Sequence, residues 1–407
     1  MERSDLELVL SPAGQTLLET IEPFHNEHDI VTVVSRLRRD GHSPQLVAAV
    51  MTQIALRRKA HKKFGPFAAR MLFTEAGLEQ ATRLRVAAHH AERFRQAGLE
   101  SVADLGCGIG GDALALAGLD LNVTAVDRDE VTAAIAAYNL NLFPRVDVLA
   151  QSAEEVSLKN IDGVYLDPAR RSSGHAQTTR LTNPGDYTPS LDFAFTVAKT
   201  LPTGVKLGPG FHRENIPTGA EAQWVSDGGS TVELGLWFGA LARHGVRRSA
   251  LIIRESSTHE LTAGADSPDE PVGRVGEYLY EPDGAIIRAR LIGDVARSIG
   301  GRMISPDIAY ISSDTASSSP FVTGFRILEE LPAAQAPLKK ALRERGIGTL
   351  EIKKRGVETD PAVLRRSLSL RGSESATLFV TRVHDRHVAF LAERLTGAAP
   401  TSPSNDV

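Results

Sequence analysis

The spacing of apolar residues predicts helices over the first part of the chain. Apolar positions recur every three to four residues in LELVLSPAGQTLLETI (residues 6–21) and in DIVTVVSRLRRDG (residues 29–41), which ends on a glycine. A third helix is expected to run to Lys63 from Ser43, a residue type that caps helices and is followed here by proline. The pattern indicates an N-terminal helical domain over residues 1–98.

From residue 101 the pattern changes to short apolar runs that alternate with helical stretches. Four of these runs predict consecutive buried strands: SVADL, NVTAVD, RVDVLA and GVYLD. Three more strands are expected in VKLGPG, AQWVSD and TVELGLWFG, the last two joined into an antiparallel hairpin by the glycine pair 228–229. The predicted fold class is therefore α/β, a Rossmann-like doubly wound sheet of seven strands in a domain over residues 99–254.

The rest of the chain predicts a connecting region and a second, smaller domain. Residues 255–275 are expected to form a loop, and residues 278–301 a strand, a turn and a helix, within a connecting α/β region over 255–321. Residues 322–396 read as strand, helix, strand, helix, strand, strand, which indicates a small α+β domain. The polar tail, 397–407, is expected to be disordered.

Composition and charge exclude several classes of protein. The 407 residues carry a formal net charge of −4, which does not favour a globally basic nucleic-acid binder. Cys107 is the single cysteine, so disulfide frameworks and cysteine zinc sites are excluded, and no other metal-ligand spacing is present. No apolar run approaches the roughly 20 residues that span a bilayer, and the N-terminus lacks a signal-peptide pattern. A cytoplasmic protein with no metal and no membrane partner is expected, and its oligomeric state is left open.

The stretch VADLGCGIGGDALALA, residues 102–117, places a glycine-rich turn between the first strand and a helix. Its glycines satisfy G-x-G-x-x-G, and Asp127 ends the next strand 21 residues after the first of them, as in dinucleotide-binding proteins. Asp104, two residues before that glycine, would repel a pyrophosphate and would accept a hydrogen bond from a cationic amine. S-adenosylmethionine carries an adenosine and a methionine but no phosphate, and it fits this constraint. The chain has no phosphate-loop pattern, which argues against phosphoryl transfer.

These residues, together with YLDPAR at the end of the fourth strand, resemble class I S-adenosylmethionine-dependent methyltransferases over residues 101–170. The resemblance implies a backbone cradle for the cofactor and an acidic residue, Asp127, that takes both ribose hydroxyls. Many members read the adenine amine with an aspartate after the third strand; Ser152 stands there in this chain, and Asp147 is a weaker candidate. The cofactor-binding residues implied here are Asp104, Gly106, Cys107, Gly108, Gly110, Asp127, Arg128, Ser152, Ala153 and Asp167.

The fourth strand ends in VYLDPARR, residues 164–171. Methyltransferases that act on amino groups of bases hold (D/N)-P-P-(aromatic) there, and its first side chain orients the target amine by accepting a hydrogen bond. Asp167 and Pro168 match this pattern, whereas an alanine and an arginine replace the second proline and the aromatic residue. The resemblance implies catalytic roles for Asp167, Pro168 and Arg170 and an RNA contact for Arg171, because arginines stack on bases or clamp phosphates. A salt-bridged pair of arginines and a helix-capping aspartate are the structural alternatives.

A second resemblance lies upstream of the glycine turn. MLFTEAGLEQATRLRVAAHHAERF, residues 71–94, is similar to the segment before the glycine motif in RNA guanine-amine methyltransferases of the trimethylguanosine synthase type. In those enzymes a Phe-Ser/Thr pair folds over the cofactor, which implies this role for Phe73 and Thr74. The alternative is that this segment only packs against the sheet.

The C-terminal domain carries a third resemblance. Its element order and its basic segments resemble the THUMP-like domain of a bacterial group of predicted methyltransferases that share the D-P-A-R-R ending, and THUMP domains proper bind RNA. Residues 338–372 hold ten Lys/Arg against four Asp/Glu, which suits phosphate contacts. The RNA contacts expected in this domain are Lys353, Lys354, Arg355, Arg365 and Arg366. A solvated charged face explains part of this charge equally well, and the basic helix end at residues 57–63 is open to the same two interpretations.

Taken together, these features predict a methyltransferase that uses S-adenosylmethionine and modifies an exocyclic base amine of a structured RNA, rRNA or tRNA. A non-catalytic RNA-binding protein that keeps the fold, and a methyltransferase for proteins or small molecules, are the alternatives. Methylation at C5 of a pyrimidine is disfavoured because the single cysteine, Cys107, lies in the cofactor turn. A dehydrogenase is the least favoured function.

Overall fold

The structure is a computed structural model that describes residues 1–21, 27–170 and 187–395. The chain divides into two compact units: Met1–Ala220 with Gly235–Arg243, and Glu221–Leu234 with His244–Val407. The tail predicted to be disordered, 397–407, lies outside the described residues. The five-part domain division stays a prediction.

Helices predominate up to residue 98, and strands alternate with helices from residue 101 onward. The helices are α1 (Arg3–Leu10), α2 (Pro12–Thr20), α3 (Glu27–Arg39), α4 (Pro44–Phe64), α5 (Glu75–Gln80), α6 (Leu84–Gln96), α7 (Gly111–Ala117), α8 (Glu130–Leu140), α9 (Leu191–Val197), α10 (Gly284–Ala289), α11 (Ile292–Ser298), α12 (Gln335–Glu344) and α13 (Pro361–Leu368). The strands are β1 (Ser101–Leu105), β2 (Asn122–Asp127), β3 (Val146–Ala150), β4 (Gly163–Leu166), β5 (Ala169–Arg170), β6 (Tyr187–Thr188), β7 (Thr203–Leu207), β8 (Glu221–Asp227), β9 (Ser230–Phe238), β10 (Arg248–Ile253), β11 (Thr258–Ala263), β12 (Tyr278–Pro282), β13 (Arg302–Met303), β14 (Ile311–Ser313), β15 (Val322–Leu331), β16 (Ile347–Lys354), β17 (Glu374–Val383) and β18 (Arg386–Arg394). Within the described ranges, no helix is both long and apolar enough to cross a membrane.

The longest N-terminal helix, α4, begins and ends as its sequence dictates. The Ser43 hydroxyl accepts a hydrogen bond from the amide of Leu46 at 3.2 Å, and Pro44 occupies the first turn. Gly65 ends the helix at φ +55°, a backbone conformation that favours glycine. A 3₁₀ turn, Gly65–Arg70, follows directly. The predicted helix start is confirmed, and the helix ends one residue beyond the predicted Lys63.

The first unit carries a mainly parallel sheet in the order β9–β7–β4–β1–β2–β3, to which β9 contributes Gly235–Phe238. β1 pairs in parallel with β2 and β4, β2 with β3, and β4 with β7. The central strand β4 is buried throughout, and β1 nearly so, as the continuous apolar sequences of both strands predict. The α/β fold class is confirmed, and the carboxyl ends of the parallel strands meet at one edge of the sheet.

An aromatic cluster packs α6 against this sheet. Phe94 of α6 lies edge-on to Tyr165 of β4 and to Trp237 of β9, at ring-centroid distances of 6.3 and 6.4 Å. The indole fits because β7 has a glycine there: a Cβ on Gly204 would lie 2.6 Å from Cζ3 of Trp237. This packing holds α6, and with it His90, in a fixed position relative to β4.

The second unit contains the strands β9–β8–β10–β11 in that order, with β9 contributing Ser230–Leu234, and a separate seven-stranded sheet in the order β13–β14–β12–β15–β18–β17–β16. The predicted alternation over residues 322–395 is confirmed as β15, α12, β16, α13, β17 and β18. Leucines of α12 and α13 pack against this second sheet and form its core: Leu338, Leu342, Leu364 and Leu368.

The second unit also differs from the sequence prediction in two places. Residues 255–275, predicted to be loop, contain β11, which pairs antiparallel with β10. These two strands are additional to the seven predicted; β11 (THELTA) offers no apolar run, because its side chains alternate between exposed and half-buried positions. The single helix predicted after β12 is two short helices, α10 and α11, separated where Arg290 adopts φ +59°.

Candidate active site

A cavity of about 440 Å³ lies at the carboxyl ends of the parallel strands of the first unit. Its wall is built mainly from residues that directly follow β1, β2, β3 and β4, with contributions from the α5–α6 connection and from β7. This is the edge where α/β sheets bind their ligands, and the volume falls in the range of small-molecule sites. Its wall includes Ala81, Thr82, Gly106, Cys107, Gly108, Asp112, Asp127, Arg128, Ser152, Ala153, Glu154, Asp167 and Lys206.

The glycine turn forms one wall of this cavity with its backbone. Gly106 lines the cavity, whereas Gly110 lies off its wall and packs against Leu140 of α8. The two glycines adopt φ of +88° and +85°, which a residue with a Cβ adopts only under strain. A Cβ on Gly106 would also lie 3.2 Å from the carbonyl oxygen of Asp167, so the turn and the end of β4 touch here. A Cβ on Gly108 would meet no atom within 4 Å, because this residue faces the open cavity. The turn therefore lets a ligand approach the backbone closely.

Asp104 is a buried carboxylate whose oxygens have no hydrogen-bond partner among the described residues. Burial raises the pKa of Asp104 well above its usual range, and the nearby charges of Asp112 and Asp167 raise it further. The charge of Lys206 and the amide of Ala113, which lies near the carboxylate without reaching hydrogen-bond geometry, lower it only partly. Asp104 lies behind the cavity wall, whereas Asp112 and Asp167, whose charges act on it, line the cavity. A carboxylate in this state is stabilised by a cationic ligand group, which fits the ammonium expected from the sequence.

Asp127 lines the cavity at the end of β2, and two backbone amides orient its carboxylate. Oδ2 accepts from the amide of Gly108 at 3.1 Å and Oδ1 from the amide of Asp129 at 2.9 Å. Partial burial is the main reason why the pKa of Asp127 is raised despite these hydrogen bonds. Each oxygen keeps a second lone pair, so the carboxylate has the geometry to accept hydrogen bonds from a diol.

The other residues that the resemblance assigns to the cofactor also meet at this cavity. Arg128, Ser152 and Ala153 all line it, and the Ser152 hydroxyl donates a hydrogen bond to Glu154 that lowers the pKa of that carboxyl. Cys107 lies in the turn with its thiol buried, and burial raises the pKa of that thiol well above its usual value. A thiol in this state is a poor nucleophile, in agreement with the argument against C5 methylation.

Lys206 and Asp167 form an ion pair on the wall of the cavity. Asp167 follows β4 and Lys206 lies in β7, the neighbouring strand, so their side chains meet at the carboxyl edge. The Lys206 ammonium also donates to Oγ1 of Thr82 at 3.0 Å. Lys206 was not among the residues predicted from the sequence, although a lysine in the otherwise apolar strand TGVKL was a usable signal.

A buried chain of hydrogen bonds continues from this ion pair into the core. The Thr82 hydroxyl donates to Asp112 at 2.6 Å, and the other oxygen of Asp112 lies 2.8 Å from Nδ1 of His90. The Tyr165 hydroxyl lies 2.9 Å from the same nitrogen. Burial alone would raise the pKa of Asp112, but the hydrogen bonds from His90 and Thr82 and the charge of Lys206 outweigh it and lower that pKa. This chain fixes Thr82 and Lys206 in position, and sequence analysis did not identify it.

The remaining residues at the end of β4 are described in part. Pro168 is buried directly after Asp167. Arg170 pairs through its backbone with Tyr187 in the short β5–β6 ladder. Arg171 lies outside the described residues.

Phe73 and Thr74 are not on the wall of this cavity but line a second one of about 510 Å³ in the same unit. The backbone of Phe73 exchanges two hydrogen bonds with the buried side chain of Gln53, at 2.8 and 2.9 Å. The Thr74 hydroxyl accepts from the amide of Gly77 at 2.9 Å and caps α5. Their expected contact with the cofactor stays a prediction. In this structure they hold the start of α5 in place, and Gly77 of α5 lines the main cavity.

The cations of the second unit that were predicted to bind RNA differ in whether they form ion pairs within that unit. Lys353 pairs with Glu281 at 2.6 Å, and Arg355 lies 3.8 Å from the same carboxylate with its guanidinium over the ring of Tyr310. Lys354 points to the opposite face of β16, as side chains alternate along a strand, and it is exposed. Arg365 and Arg366 of α13 are exposed as well. The unit's own acidic residues therefore neutralise two of the five cations, and the other three remain accessible.

Comparisons with known proteins give a consistent result. Two curated relatives, from Mycobacterium tuberculosis strains H37Rv and CDC 1551, are each 33% identical over 363 residues, 86% of this chain and 95% of theirs. Both carry the name uncharacterised S-adenosylmethionine-dependent methyltransferase. A crystal structure from Porphyromonas gingivalis W83, provisionally assigned as a methyltransferase, aligns with 92% of this chain and 100% of its own at TM-score 0.72 and 20% identity, which shows a shared fold. The THUMP domain-like family matches residues 322–394, as predicted, and a domain family of unknown function matches residues 2–60.

Proposed function

The chain belongs to the S-adenosylmethionine-dependent methyltransferases, and from this premise we propose that it methylates an exocyclic base amine of a structured RNA, rRNA or tRNA. The observation that carries the choice of an amine is Asp167, which directly follows β4, lines the cavity and is followed by proline. The THUMP-like match over residues 322–394 supports RNA as the substrate class.

The cofactor S-adenosylmethionine supplies an activated methyl group on a sulfonium sulfur. We assign its ammonium to Asp104, because this buried carboxylate has no partner among the described residues. Its ribose hydroxyls are assigned to Asp127, and its chain to the backbone of the turn formed by Gly106, Gly108 and Gly110. The loop that holds Ser152 and Ala153 would receive the adenine, with Arg128 beside it.

In the proposed reaction, Asp167 orients the target amine. Its carboxylate accepts a hydrogen bond from the amine N–H, so that the nitrogen lone pair faces the methyl group, and the proton released by the new N-methyl amine leaves toward this carboxylate. Lys206 acts as a positioning residue, because its ammonium holds the Asp167 carboxylate and is itself held by Thr82. Alignment of this kind is the main source of rate in such transfers. Pro168 shapes the loop, and Arg170 is proposed to stack on the base or clamp a phosphate.

RNA capture is assigned to the exposed cations of the second unit and to Arg171. Lys354, Arg365 and Arg366 are accessible, so each can contribute a phosphate contact and make binding dependent on salt. Lys353 and Arg355 would have to leave Glu281 to do the same. A target within a duplex would have to be flipped out of the stack.

Methyl transfer to RNA tests this proposal directly. The purified protein is incubated with S-adenosylmethionine labelled with tritium in its methyl group and with total RNA, and incorporation is measured with and without ribonuclease. Asp167→Ala should lower incorporation on the order of 100-fold or more while calorimetry shows unchanged cofactor binding. Asp192→Ala, which removes an exposed carboxylate on α9, is the matched control and should keep full activity.

A small-molecule acceptor is the second candidate, because the cavity of about 440 Å³ is of the size that encloses small molecules. Label that enters a small-molecule fraction and resists ribonuclease would support this acceptor over RNA. Membership of the D-P-A-R-R group, the trimethylguanosine synthase-type role of Phe73 and Thr74, and the cytoplasmic location stay predictions.

A further inference from the structure

The end of α4 and the 3₁₀ turn after it carry three exposed cations and an exposed aromatic residue. We define this α4 surface by Lys59, Lys62, Phe67 and Arg70, and we propose that it binds unpaired nucleotides of the RNA substrate next to the active-site cavity. The inference rests on the proposed function, because it names a substrate contact in the methyltransferase unit itself.

The segment of residues 57–70 carries more positive charge than its contacts within the protein engage. Residues 57–70 contain six Lys/Arg and no Asp/Glu, in a chain whose net charge is −4. Arg57 donates to the carbonyl of Met71 at 2.9 Å, and Lys63 donates to three carbonyls near the end of α5. These two cations therefore serve the fold. The side chains of Lys59, Lys62 and Arg70 are exposed, and they form no hydrogen bond or ion pair with the described residues.

Phe67 is the feature that points to nucleic acid rather than to a solvated charged face. Its side chain is 52% exposed, whereas its neighbours in sequence, Phe64 and Phe73, are buried in the core. An exposed aromatic ring among cations is the combination with which proteins hold single-stranded RNA: the ring stacks on a base while the cations neutralise phosphates. RNA matches both features at once, because its phosphates pair with the cations and its bases stack on the ring.

The α4 surface lies beside the cavity, as two contacts show. Lys63 donates to the carbonyl of Ala81 at 2.7 Å, and Ala81 lines the cavity. The ring of Phe64 packs on the glycine turn, since a Cβ on Gly111 would lie 3.6 Å from it, and Gly111 also lines the cavity. The last turn of α4 therefore touches the cavity wall at two points.

More cations than carboxylates act on Lys63, which lies between α4 and the end of α5. The pKa of Lys63 is lowered to about 8, mainly by burial, and the charges of Lys206, Arg83 and Lys59 lower it further, with Glu79 opposing them. Repulsion between these cations is relieved when a polyanion binds. An RNA strand on the α4 surface would thus gain phosphate contacts close to where its target base must enter.

The test measures RNA binding by the full chain and two sets of variants. The probe is a fluorescein-labelled RNA hairpin with an eight-base loop, and its anisotropy is followed over a range of salt concentrations. The surface variants are Lys59→Glu combined with Lys62→Glu, and Phe67→Ala. The matched controls are Lys159→Glu combined with Lys199→Glu, which reverses two exposed lysines near the amino ends of β4 and β7, and Leu142→Ala, which truncates an exposed apolar residue.

We expect Phe67→Ala to weaken binding by about 5- to 150-fold, the range for one stacked base. The double lysine variant should reduce the slope of log K against log salt by about 1.4, the value for two phosphate contacts on a single strand. Both control variants should bind like wild type, and all variants should keep their affinity for S-adenosylmethionine.

Three results would overturn the proposal, and they can be told apart. If the surface variants bind RNA as the controls do, the α4 surface is not an RNA contact, while the proposed function stands. If polyglutamate displaces the hairpin at equal charge, the surface is a general anion site instead. If the wild-type protein binds S-adenosylmethionine but no RNA, the proposal that RNA is the substrate is refuted, and the proposed RNA contact of the α4 surface is refuted with it.

Discussion

Replacing Asp104 with asparagine should stabilise the free protein and at the same time weaken its binding of S-adenosylmethionine. The wild-type carboxylate is buried without a hydrogen-bond partner in the described part of the chain, which raises its pKa in the folded state. Asparagine has nearly the same shape and never ionises, so it removes the cost of placing a carboxylate there. It also removes the negative charge that we assign to the cofactor's ammonium.

The sign and size of the stability effect follow from proton linkage. Above the ordinary value of 3.8 the unfolded chain loses the Asp104 proton, while the folded chain retains it because its pKa is raised. The folded state then binds more protons, so the wild-type free energy of unfolding falls as pH rises, by at most about 1.4 kcal/mol per pH unit. Near pH 4 the two proteins should be of similar stability, and above it the advantage of Asp104→Asn should widen by up to about 1.4 kcal/mol per pH unit until the pH passes the raised pKa of the folded state.

Hydrogen exchange of peptides from β1 and β2, measured between pH 4.5 and 8, reports the stability of this unit separately from the rest of the chain. The difference between variant and wild type cancels the titration of groups that do not interact with Asp104. Calorimetric titration in buffers of different ionisation enthalpy should show wild type releasing a proton when S-adenosylmethionine binds, and the variant losing this release. A variant less protected than wild type at pH 8, with unchanged cofactor affinity, would refute the assignment of Asp104.

Three further substitutions test the rest of the site. Lys206→Met should reduce methyl transfer at least tenfold, because it removes the ammonium that holds the Asp167 carboxylate; equal turnover would contradict the positioning role. Gly106→Ala should destabilise the protein by about 1 to 3 kcal/mol and weaken cofactor binding, given its φ of +88°, and normal calorimetric affinity would argue against the cradle. Asn139→Ala removes three hydrogen bonds that tie α8 to the backbone at Leu72 and Ile109, so urea unfolding should show a loss of about 2 to 4 kcal/mol; a loss below 1 kcal/mol would contradict this tie.

Local sequence patterns were sufficient for the parts of the fold that depend on local geometry. The glycine turn could be predicted because a positive φ at Gly106 and Gly110 and an acidic strand end leave a recognisable spacing. The helix cap at Ser43 and the alternation of strands and helices could be predicted for the same reason, because each depends on residues that are close together in the sequence. β11 escaped prediction because an exposed strand with mixed polarity has no apolar signal of its own.

Contacts between distant residues could not be predicted in this way. Lys206 meets Thr82 across 124 positions and Asp167 across 39, and Lys353 finds Glu281 across 72. Nothing in the neighbouring sequence marks these pairs, since they depend on how strands and helices are arranged in three dimensions. Lys353 was predicted to contact RNA because the sequence does not show that Glu281 lies next to it. In the structure the two residues form an internal ion pair.

The charges around the cavity also decide between the two cofactors that the glycine spacing left open. Asp112 and Asp167 both lie close enough to Asp104 to raise its pKa, and the charge of Lys206 offsets this only in part. A pyrophosphate would add two negative charges beside these carboxylates, at a cost that a partly buried site does not screen. A ligand with an ammonium and a sulfonium reduces the same repulsion instead. The electrostatics of the site therefore favour S-adenosylmethionine over a nicotinamide dinucleotide independently of the family comparison, and titration with NADH should detect no binding.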